Sequence, residues 1–444
     1  MTYSNLHDDL RPEQTGKGRR RFTQSLGLAG VAGLLAGCAT MGDSASSKKL
    51  GRVAIVGAGY GGATAARYLK AWGGESVDVV LYDRAPQFIS CPMSNLVIGG
   101  SLKLADLTVS YQGLKDSGVL VLQDEVTGLD AAKRRLSFVK FQDQSFDRII
   151  VSPGVDFMFD QIQGFNPEAQ KTVMHAWKAG DQTVTLRQQL EAMPDGGVVV
   201  MSIPLAPYRC PPGPYERICQ MAHYLKVAKP KSKIIVLDAN PEIVSKKGLF
   251  TKAFDGPYKG FVEYRPNSRV TELDAASRTV ITELGDRVKG NVLNVIPPQR
   301  AGDLVVKAGL ANANNRWANV DWLTMESTAA KGIHVLGDAS FSAPTMPKSG
   351  HMANQHGKTA AAAILDLMAG REPRPSTMAN TCYSFVNDRD VVHVASVHQY
   401  DAAQKTMLPV KGAGGLSTEP NALEGSYANA WAQNIWRDMF GKIA

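Results

Sequence analysis

The stretch from Arg52 to Gly62, RVAIVGAGYGG, constrains the fold of this chain more than any other. Its apolar run, Val53 to Val56, is typical of a buried parallel strand. Three glycines follow at the spacing of a dinucleotide-binding turn: Gly57, Gly59 and Gly62. In such a turn the first glycine allows a tight bend, the second lets a pyrophosphate approach the backbone, and the third lets the next helix pack closely on the strand. The sequence therefore predicts a site for an adenine dinucleotide.

The residues after the glycine turn support this prediction. A helix is predicted from Gly61 to about Trp72, and its free N–H groups and positive dipole end would face the phosphates. A second strand, Val77 to Tyr82, ends at Asp83, where an acidic side chain can bind a ribose hydroxyl. A glycine motif alone also fits an ordinary turn, but the strand, the helix and the acid together favour dinucleotide binding.

Length and composition limit the classes of protein to consider. A chain of 444 residues predicts two or three domains, and 44% hydrophobic with 20% charged residues is typical of a soluble globular protein. The formal charge of +8 comes from dispersed basic residues, so we expect no nucleic-acid partner and some help in docking an acidic protein. The five cysteines form no CxxC pair, so we expect no metal site, and without CxxCH the chain holds no c-type haem of its own.

Residues 1–38 are predicted to be an export signal. Arg19, Arg20 and Arg21 form a twin-arginine pattern before a weakly apolar segment that is too short and glycine-rich for a membrane span. We therefore expect a periplasmic protein that is exported folded, in a compartment where a disulfide can persist. Cys38 also ends a lipoprotein-like processing site, so it either becomes a lipidated N-terminus or is removed or left unmodified. A polar linker is predicted at residues 39–49.

A second α/β unit is predicted from about Ala176, with a helix from Asp181 to Met193 and a strand from Gly197 to Ile203. A nicotinamide-binding domain needs a second glycine-rich turn at this point. The chain instead continues from Pro204 as PLAPYRCPPGPYER. Because prolines lack the N–H groups that bind a pyrophosphate, we expect no nicotinamide cofactor in this domain.

Two further strand ends carry candidate cofactor-binding residues. The predicted strand from Asp147 to Val151 leads to Gly154, and a glycine there lets the chain pass close to a ligand. The predicted strand that starts at Gly332 ends in Gly337 and Asp338. In flavoproteins with two dinucleotide-binding domains, this aspartate would meet the ribityl and phosphate portion of FAD.

These elements predict an α/β fold with two Rossmann-like dinucleotide-binding domains, as in glutathione reductase, and a small C-terminal α+β domain. Short strands at residues 119–123 and 136–141 are expected to form a small β-insertion. The predicted boundaries are residues 50–165 and 291–375 for the FAD-binding domain, 166–290 for the second domain, and 376–444 for the C-terminal domain.

Several segments resemble the flavoprotein subunit of flavocytochrome c sulfide dehydrogenase. They are spread over essentially the whole chain after the signal: SCPMSNLVIGG (90–100), HAWKAG (175–180), RCPPGPYER (209–217), NVIPPQRAG (294–302), GIHVLGDAS (332–340), MPKSG (346–350) and NTCYS (380–384). The resemblance implies FAD bound covalently by Cys91, a redox-active disulfide between Cys210 and Cys382, and a role for Glu216 in proton handling. It also implies sulfide as the substrate and haem c on a separate cytochrome subunit.

The implied chemistry suits these residue types. Hydrosulfide is a soft nucleophile that can open a disulfide and leave a persulfide on one sulfur, from which zero-valent sulfur or polysulfide is released. Lys348 is expected either to stabilise negative charge on the reduced flavin or to be a solvated surface lysine. Cys219 is expected to be a buried, inert thiol. Three histidines are expected to be structural rather than catalytic: His175, His351 and His356.

Two other functions stay open on the sequence alone. A sulfide:quinone oxidoreductase shares the fold and the disulfide chemistry, but it needs an apolar membrane face. The candidates for such a face are Trp431, Ile435, Trp436 and Met439. Apolar residues at this spacing more often pack in the core of a protein. A flavoprotein that carries persulfide on Cys210 or Cys382 without turnover is the other alternative.

Overall fold

A computed structural model describes residues 49–441 of the chain. The predicted export signal, Cys38 and nearly all of the predicted linker lie outside these described residues. Within residues 49–441, no helix is both long enough and apolar enough to cross a membrane.

The secondary structure follows the α/β pattern that the sequence predicts. The strands are β1 (Gly51–Val56), β2 (Val77–Asp83), β3 (Phe88–Ile89), β4 (Thr108–Val109), β5 (Leu120–Gln123), β6 (Val126–Asp130), β7 (Arg135–Phe138), β8 (Gln144–Ser145), β9 (Arg148–Val151), β10 (Val155–Phe157), β11 (Val198–Ile203), β12 (Lys233–Asp238), β13 (Val262–Arg265), β14 (Val270–Asp274), β15 (Thr279–Thr282), β16 (Arg287–Lys289), β17 (Val292–Val295), β18 (Gln299–Ala301), β19 (Ile333–Val335), β20 (Thr377–Phe385), β21 (Val391–Asp401) and β22 (Thr406–Leu416). The helices are α1 (Tyr60–Gly73), α2 (Ser94–Gly99), α3 (Gln112–Asp116), α4 (Asp181–Ala192), α5 (Gly213–Ala228), α6 (Lys247–Asp255), α7 (Asp303–Lys307), α8 (Gly350–Met368) and α9 (Ala422–Phe440).

The first sheet is parallel and has the strand order β19-β9-β1-β2-β5. Its central strand β1 is apolar because both faces are covered, and Val53, Ala54 and Ile55 are fully buried. Helices α1 and α8 pack so closely that a Cβ added at Gly357 of α8 would lie 2.6 Å from the carbonyl oxygen of Gly61 in α1. The glycine turn therefore stands at the carboxyl end of a rigid strand and helix unit.

One sequence expectation for this domain is wrong. We expected residues 119–123 to belong to a small β-insertion, but β5 pairs parallel with β2, from Val80 opposite Leu120 to Asp83 opposite Gln123. Strand β2 has an open edge there, and β5 satisfies its backbone groups. The antiparallel insertion consists of β6, β7 and β8.

The second sheet is parallel as well, with the order β13-β12-β11-β17. Its last member corrects a predicted boundary. We expected the chain to return to the first domain at residue 291, but β17 pairs with β11, from Val199 opposite Val292 to Ser202 opposite Val295. The apolar run at residues 292–295 is buried in this second sheet, so the return to the first domain comes after it.

The C-terminal part is an antiparallel sheet, β20-β21-β22, with the long helix α9 after it. The strand β22 was not predicted, because its Pro and Gly residues resemble a loop. Helix α9 packs back onto the first domain, where Asp438 accepts hydrogen bonds from Asn354 at 2.7 Å and from Lys358 at 2.9 Å. Three of the four candidates for an apolar membrane face, Ile435, Trp436 and Met439, are buried in that contact and belong to the core.

Candidate active site

A cavity of about 900 Å³ opens at the carboxyl ends of β1, β2 and β9. Its volume is at the upper end of the range for ligand sites and suits a dinucleotide. Seven of the predicted cofactor-binding residues line it: Gly57, Gly59, Asp83, Cys91, Gly154, Gly337 and Asp338. Two do not: Gly62 packs beneath the turn, and Lys348 lies behind the wall.

The three glycines of the first turn have the separate structural tasks that their spacing predicts. Gly57 has a φ of 96°, which favours glycine, and a Cβ there would lie 2.4 Å from the carbonyl oxygen of Ser152. A Cβ at Gly62 would lie 1.9 Å from the carbonyl oxygen of Gly57. A Cβ at Gly59 would meet no protein atom within 4 Å. Gly59 therefore leaves space for a ligand, whereas Gly62 is required by the fold itself.

Two of the predicted cofactor-binding residues in the cavity wall are aspartates. The carboxylate of Asp83 accepts the N–H groups of Ala58 at 2.7 Å and Ala85 at 2.8 Å, so it is fixed beside the glycine turn. Asp338 is different, because its buried Oδ1 atom has no hydrogen-bond partner among residues 49–441. Burial raises the pKa of the Asp338 carboxyl, against the opposing charges of Arg209 and Lys348. A hydroxyl of a bound ligand would satisfy this oxygen. The unpaired oxygen and the open space at Gly59 show that the residues present fit FAD.

Cys91 lies in the cavity wall next to Arg209, a residue that sequence reasoning did not single out. The Cys91 Sγ atom accepts the N–H of Ala179 at 3.4 Å and a hydrogen bond from the Arg209 side chain. Burial raises the pKa of the Cys91 thiol, but the Arg209 guanidinium and the Ala179 N–H outweigh burial, and the pKa is below its usual value. The thiolate, the nucleophilic form of cysteine, is therefore more favoured at Cys91 than at an ordinary cysteine. A basic residue directly before Cys210 was the signal for Arg209.

Cys210 and Cys382, both thiols in this structure, are held by adjacent residues of one segment. The N–H of Cys210 donates to the carbonyl oxygen of Lys348 at 2.8 Å. The next residue, Ser349, donates its hydroxyl to Asn380 Oδ1 at 2.6 Å, and Asn380 Nδ2 donates to Cys382 Sγ at 3.3 Å. After burial, charge on Cys382 is the second cause that raises the pKa of Cys210, so the two thiols influence each other. The structure thus brings the two predicted cysteines together, and their disulfide stays a prediction.

Part of the backbone strain in the described residues lies around these cysteines. Four non-glycine residues there have a positive φ: Met93 at 73°, Ala176 at 46°, Cys210 at 58° and Lys246 at 55°. Each such conformation costs about 1–3 kcal/mol and persists only where its surroundings determine it, which is common at functional sites. Cys210 is fixed on both sides of its peptide, because its carbonyl also accepts the N–H of Gly213 at 2.9 Å.

Glu216 is buried next to the cysteines and linked to both segments. Its Oε1 accepts the N–H of Phe385 at 2.8 Å, and its Oε2 accepts Asn95 Nδ2 at 2.7 Å. Burial raises the pKa of this carboxyl, and the two hydrogen bonds only partly offset the effect. Asn95, on the same short segment as Cys91, also accepts Arg217 Nε at 3.0 Å. The network connects the segment of Cys91 to the segments of Cys210 and Cys382.

Lys246 is a site residue that the sequence did not reveal, because it lies in a loop without a recognised motif. Its ammonium is buried and donates to the Cys382 carbonyl oxygen at 2.6 Å, Ser384 Oγ at 2.8 Å and the Val392 carbonyl oxygen at 3.1 Å. Burial lowers its pKa to about 8, and the nearby Cys382 and Glu216 limit the decrease. A cation therefore stands behind Cys382.

Lys348 is buried, so it is not the solvated surface lysine that was one of the two alternatives for this residue. Its ammonium donates to the carbonyl oxygens of Asp338, at 3.0 Å, and Ser340, and lies 3.9 Å from the centre of the Trp317 ring. Burial lowers the pKa of Lys348 to about 7, although Asp338 opposes the shift. Its charge lies behind the turn at Gly337, and a direct contact with flavin stays a prediction.

The three histidines make hydrogen bonds of a structural kind. Nδ1 of His175 accepts the N–H of Trp177 at 2.9 Å, and Nδ1 of His351 accepts that of Thr381 at 3.0 Å. In the same way His356 accepts the N–H of Gly337 at 3.1 Å. Burial lowers the pKa of His175 and His356 to about 3, so both rings are neutral at ordinary pH.

The corresponding position in the second domain is closed by the protein's own side chains. Asp238, at the end of β12, is fully buried and accepts the hydroxyl groups of Tyr215 and Tyr264, both at 2.8 Å. It also accepts Asn240 Nδ2 at 2.7 Å. This carboxylate stands where a second dinucleotide domain would bind a ribose, but here it anchors α5.

Two sequence models of one protein family match separate parts of the chain. Their descriptions are sulfide dehydrogenase (flavocytochrome c) flavoprotein chain, central, at residues 183–297, and flavocytochrome c sulphide dehydrogenase, flavin-binding, at residues 374–440. The chain belongs to the flavocytochrome c sulfide dehydrogenase flavoprotein family. It is a flavoprotein of that family. A broader model, described as pyridine nucleotide-disulphide oxidoreductase, matches residues 51–200. The family resemblance stated from short segments is confirmed.

Known relatives of this flavoprotein chain agree with its architecture. The mitochondrial sulfide:quinone oxidoreductase of Dictyostelium discoideum is 22% identical over 299 residues, and the match covers 66% of this chain and 66%, just under two thirds, of that protein. The sulfide:quinone oxidoreductase structure from Aquifex aeolicus has a TM-score of 0.70 at 17% identity, over 88% of this chain and 92% of that chain. The NAD-dependent persulfide reductase of A. fulgidus has a TM-score of 0.58 at 13% identity, over 86% and 76%. The predicted fold class is confirmed.

The second and third glycines of the turn offer a matched pair of variants. We expect Gly62→Ala to lower the free energy of unfolding by about 1–3 kcal/mol or more, because its Cβ would overlap a backbone oxygen. Gly59→Ala should change it by less than about 0.5 kcal/mol but lower the flavin content per chain. Chemical denaturation of flavin-free protein and flavin absorbance of the purified protein measure the two effects. Full flavin content in Gly59→Ala would contradict the assignment.

The buried ammonium of Lys348 predicts a pH dependence of stability. Its pKa is about 7 in the folded chain against an ordinary 10.5, so between these values the unfolded chain binds more protons. The unfolding free energy of the wild type should therefore rise with pH relative to Lys348→Met, by at most about 1.4 kcal/mol per pH unit. Denaturant titrations at pH 7, 8.5 and 10, with Lys252→Met as an exposed control, test this. Parallel curves for wild type and Lys348→Met would show that the ammonium is not desolvated.

Proposed function

We propose that this chain oxidises sulfide to zero-valent sulfur or polysulfide through a Cys210–Cys382 disulfide and FAD, and delivers the electrons to a c-type cytochrome subunit. One observation carries the proposal: the Lys348–Ser349 dipeptide holds both cysteine segments next to the dinucleotide cavity. The family description supports sulfide as the substrate and a cytochrome as the partner.

The disulfide would be the electrophile of the reaction. Hydrosulfide attacks one of its sulfurs, the S–S bond breaks, and a persulfide S–S bond forms while the electron pair leaves with the other cysteine as a thiolate. Bound FAD would supply an acceptor for two electrons that can be passed on singly. The residues that would hold FAD are those of the cavity wall, above all the glycine turn, Asp83 and Asp338.

Glu216 would move protons in this reaction. Its carboxyl is buried beside the cysteines, and its raised pKa means that it binds a proton more readily than an exposed glutamate does. The N–H of Phe385 and the amide of Asn95 hold both of its oxygens in place. These contacts support a positioned proton acceptor rather than a purely structural acid.

We also propose that FAD is covalently attached through Cys91. The thiol is in the cavity wall, and the guanidinium of Arg209 favours its thiolate form, which is the form that bonds to an electrophilic carbon. Covalent attachment would prevent loss of FAD after export, in a compartment where it cannot readily be replaced.

A nicotinamide cofactor is disfavoured as the source of electrons. Asp238 is fully hydrogen-bonded to Tyr215, Tyr264 and Asn240, so it offers no free oxygen to a second ribose. The segment after β11 begins with Pro204, which has no N–H to offer a pyrophosphate. Both observations support sulfide as the reductant.

The proposed location is the periplasm, after twin-arginine export, with Cys38 as a lipid anchor or as a residue that is removed or unmodified. The support is the pattern at residues 19–22 and the processing site that ends at Cys38, both outside the described residues. A disulfide mechanism and a c-type cytochrome partner suit an oxidising compartment.

A quinone is the competing electron acceptor, and one observation favours it: two of the relatives are named sulfide:quinone oxidoreductases. The acceptor can be decided by adding either oxidised cytochrome c or a soluble quinone to the sulfide-reduced protein. The cytochrome proposal requires faster reoxidation by cytochrome c.

The covalent bond can be tested without turnover. When the purified wild-type protein is denatured in acid, we expect the flavin to stay with the precipitate, and from Cys91→Ser we expect it in the supernatant. Cys219→Ser, a fully buried thiol away from the cavity, is the matched control and should retain its flavin. Flavin released from the wild type would show that the bond does not form.

The sulfide proposal is tested by anaerobic titration of the protein with sulfide while the flavin absorbance is followed, before oxidised cytochrome c is added. We expect bleaching that cytochrome c reverses, and at least a hundredfold slower bleaching, roughly, in Cys210→Ser and Cys382→Ser because neither can form the disulfide. Cys219→Ser should bleach as the wild type does.

Other outcomes of this titration separate the alternatives. Sulfide that labels the cysteines without bleaching the flavin would identify a persulfide carrier without turnover. A flavin that sulfide leaves oxidised but NADH reduces would overturn the proposed reaction.

A further inference from the structure

Hydrogen-bond donors surround the two cysteines unequally. Cys382 Sγ accepts a hydrogen bond from Asn380 Nδ2 at 3.3 Å. Asn380 is buried, and the hydroxyl of Ser349 donates to its Oδ1 at 2.6 Å, which turns the NH₂ group of the amide towards the sulfur. For Cys210 Sγ, by contrast, residues 49–441 provide no side-chain hydrogen-bond donor. Negative charge is therefore better supported at Cys382.

Of the buried cations at the site, Lys246 is the one that contacts the Cys382 segment. Lys246 is only 6% exposed, and its ammonium donates to the Cys382 carbonyl oxygen, Ser384 Oγ and the Val392 carbonyl oxygen. These three acceptors are neutral, so the charge is not neutralised by direct contact with a carboxylate. A buried cation without a contacting anion favours the formation of negative charge nearby.

The effect on the two thiols follows from this arrangement. Burial raises the pKa of Cys382, but Lys246 is the largest opposing influence, followed by Asn380 and Ser349. The pKa of Cys210 is raised first by burial and then by the charges of Cys382 and Glu216, and the cations Arg209 and Lys246 only partly oppose this increase. In thiol–disulfide exchange the sulfur with the lower thiol pKa leaves faster. The two sulfurs therefore differ as leaving groups before any substrate binds.

We propose that hydrosulfide attacks Cys210 Sγ and that Cys382 is the leaving thiolate, held by Lys246 and Asn380. This inference rests on the proposed function. The electron pair of hydrosulfide forms the new bond to Cys210, the electron pair of the old S–S bond stays on Cys382, and the proton stays on the terminal sulfur. The step needs no oxidant. Substrate sulfur is thus carried on Cys210, and Lys246 acts as a positioning charge rather than as a group that bonds to sulfur.

The position of the sulfur can be measured on the holoenzyme. The oxidised protein is mixed anaerobically with one equivalent of sulfide, quenched in acid before the flavin bleaches, alkylated, and analysed by peptide mass spectrometry. We expect the extra sulfur atom on the Cys210 peptide and direct alkylation of Cys382. The reverse pattern would overturn this inference and leave the proposed function intact. If neither peptide changes, the disulfide is not opened by sulfide, and the proposed function fails together with the inference.

Two variants test the cause of the asymmetry. Lys246→Met should slow opening of the disulfide about tenfold and move part of the extra sulfur to Cys382, because the leaving thiolate loses its cation. Asn380→Asp, which keeps the shape of the side chain but places an oxygen against the sulfur, should act in the same direction. Lys247→Met is the matched control, because this neighbouring lysine is exposed and pairs with Glu242.

Redistribution of the sulfur is the decisive readout in these variants. A lysine or asparagine that only supports the fold would alter the amount of active protein but not the cysteine that carries sulfur. If both variants open the disulfide with all of the extra sulfur still on Cys210, the proposed roles of Lys246 and Asn380 are wrong.

Discussion

The rest of the site depends on two hydrogen-bonded links from one dipeptide. The carbonyl of Lys348 receives the N–H of Cys210, and the hydroxyl of Ser349 orients the amide that contacts Cys382. Ser349 is also the N-cap of α8, where its oxygen accepts the N–H of Met352 at 3.0 Å. Since α8 packs through Gly357 against α1, the helix that follows the glycine turn, the cysteine pair and the dinucleotide cavity are built on the same pair of helices.

The site also contains several buried charged side chains. Glu216, Arg217 and Lys246 are all buried, and each is surrounded mainly by neutral donors or acceptors rather than by a direct ion-pair partner. Arg217, for example, donates to the carbonyl oxygens of His175 at 3.0 Å and Ala176 at 2.7 Å. Burial lowers its pKa to about 9. Neutral hydrogen-bond partners offset the cost of desolvation without cancelling the charge. The electric field of each charged side chain can therefore stabilise a group that becomes charged during a reaction.

Much of the fold could be predicted because local patterns determine it. The apolar strand before Gly57, the spacing of the glycines and the acid at Asp83 are local features, and the structure has each of them at the predicted place. The boundary at residue 291 was wrong because an apolar strand such as β17 fits either parallel sheet equally well, and only the three-dimensional pairing decides between them. Lys246 could not be found from sequence, since its importance comes from contacts to β20 and β21, far along the chain.

The closed position at Asp238 has a consequence for the whole molecule. Tyr215 belongs to the first turn of α5, the helix that begins just beyond Cys210. The carboxylate that would bind a ribose in a second nucleotide domain therefore holds the helix next to Cys210 in place. The second domain thus supports the segment that contains Cys210. Under the proposed function, the oxidation state of the cysteine pair would be independent of the cellular ratio of NADH to NAD⁺ and would report only the supply of sulfide and the state of the electron acceptor.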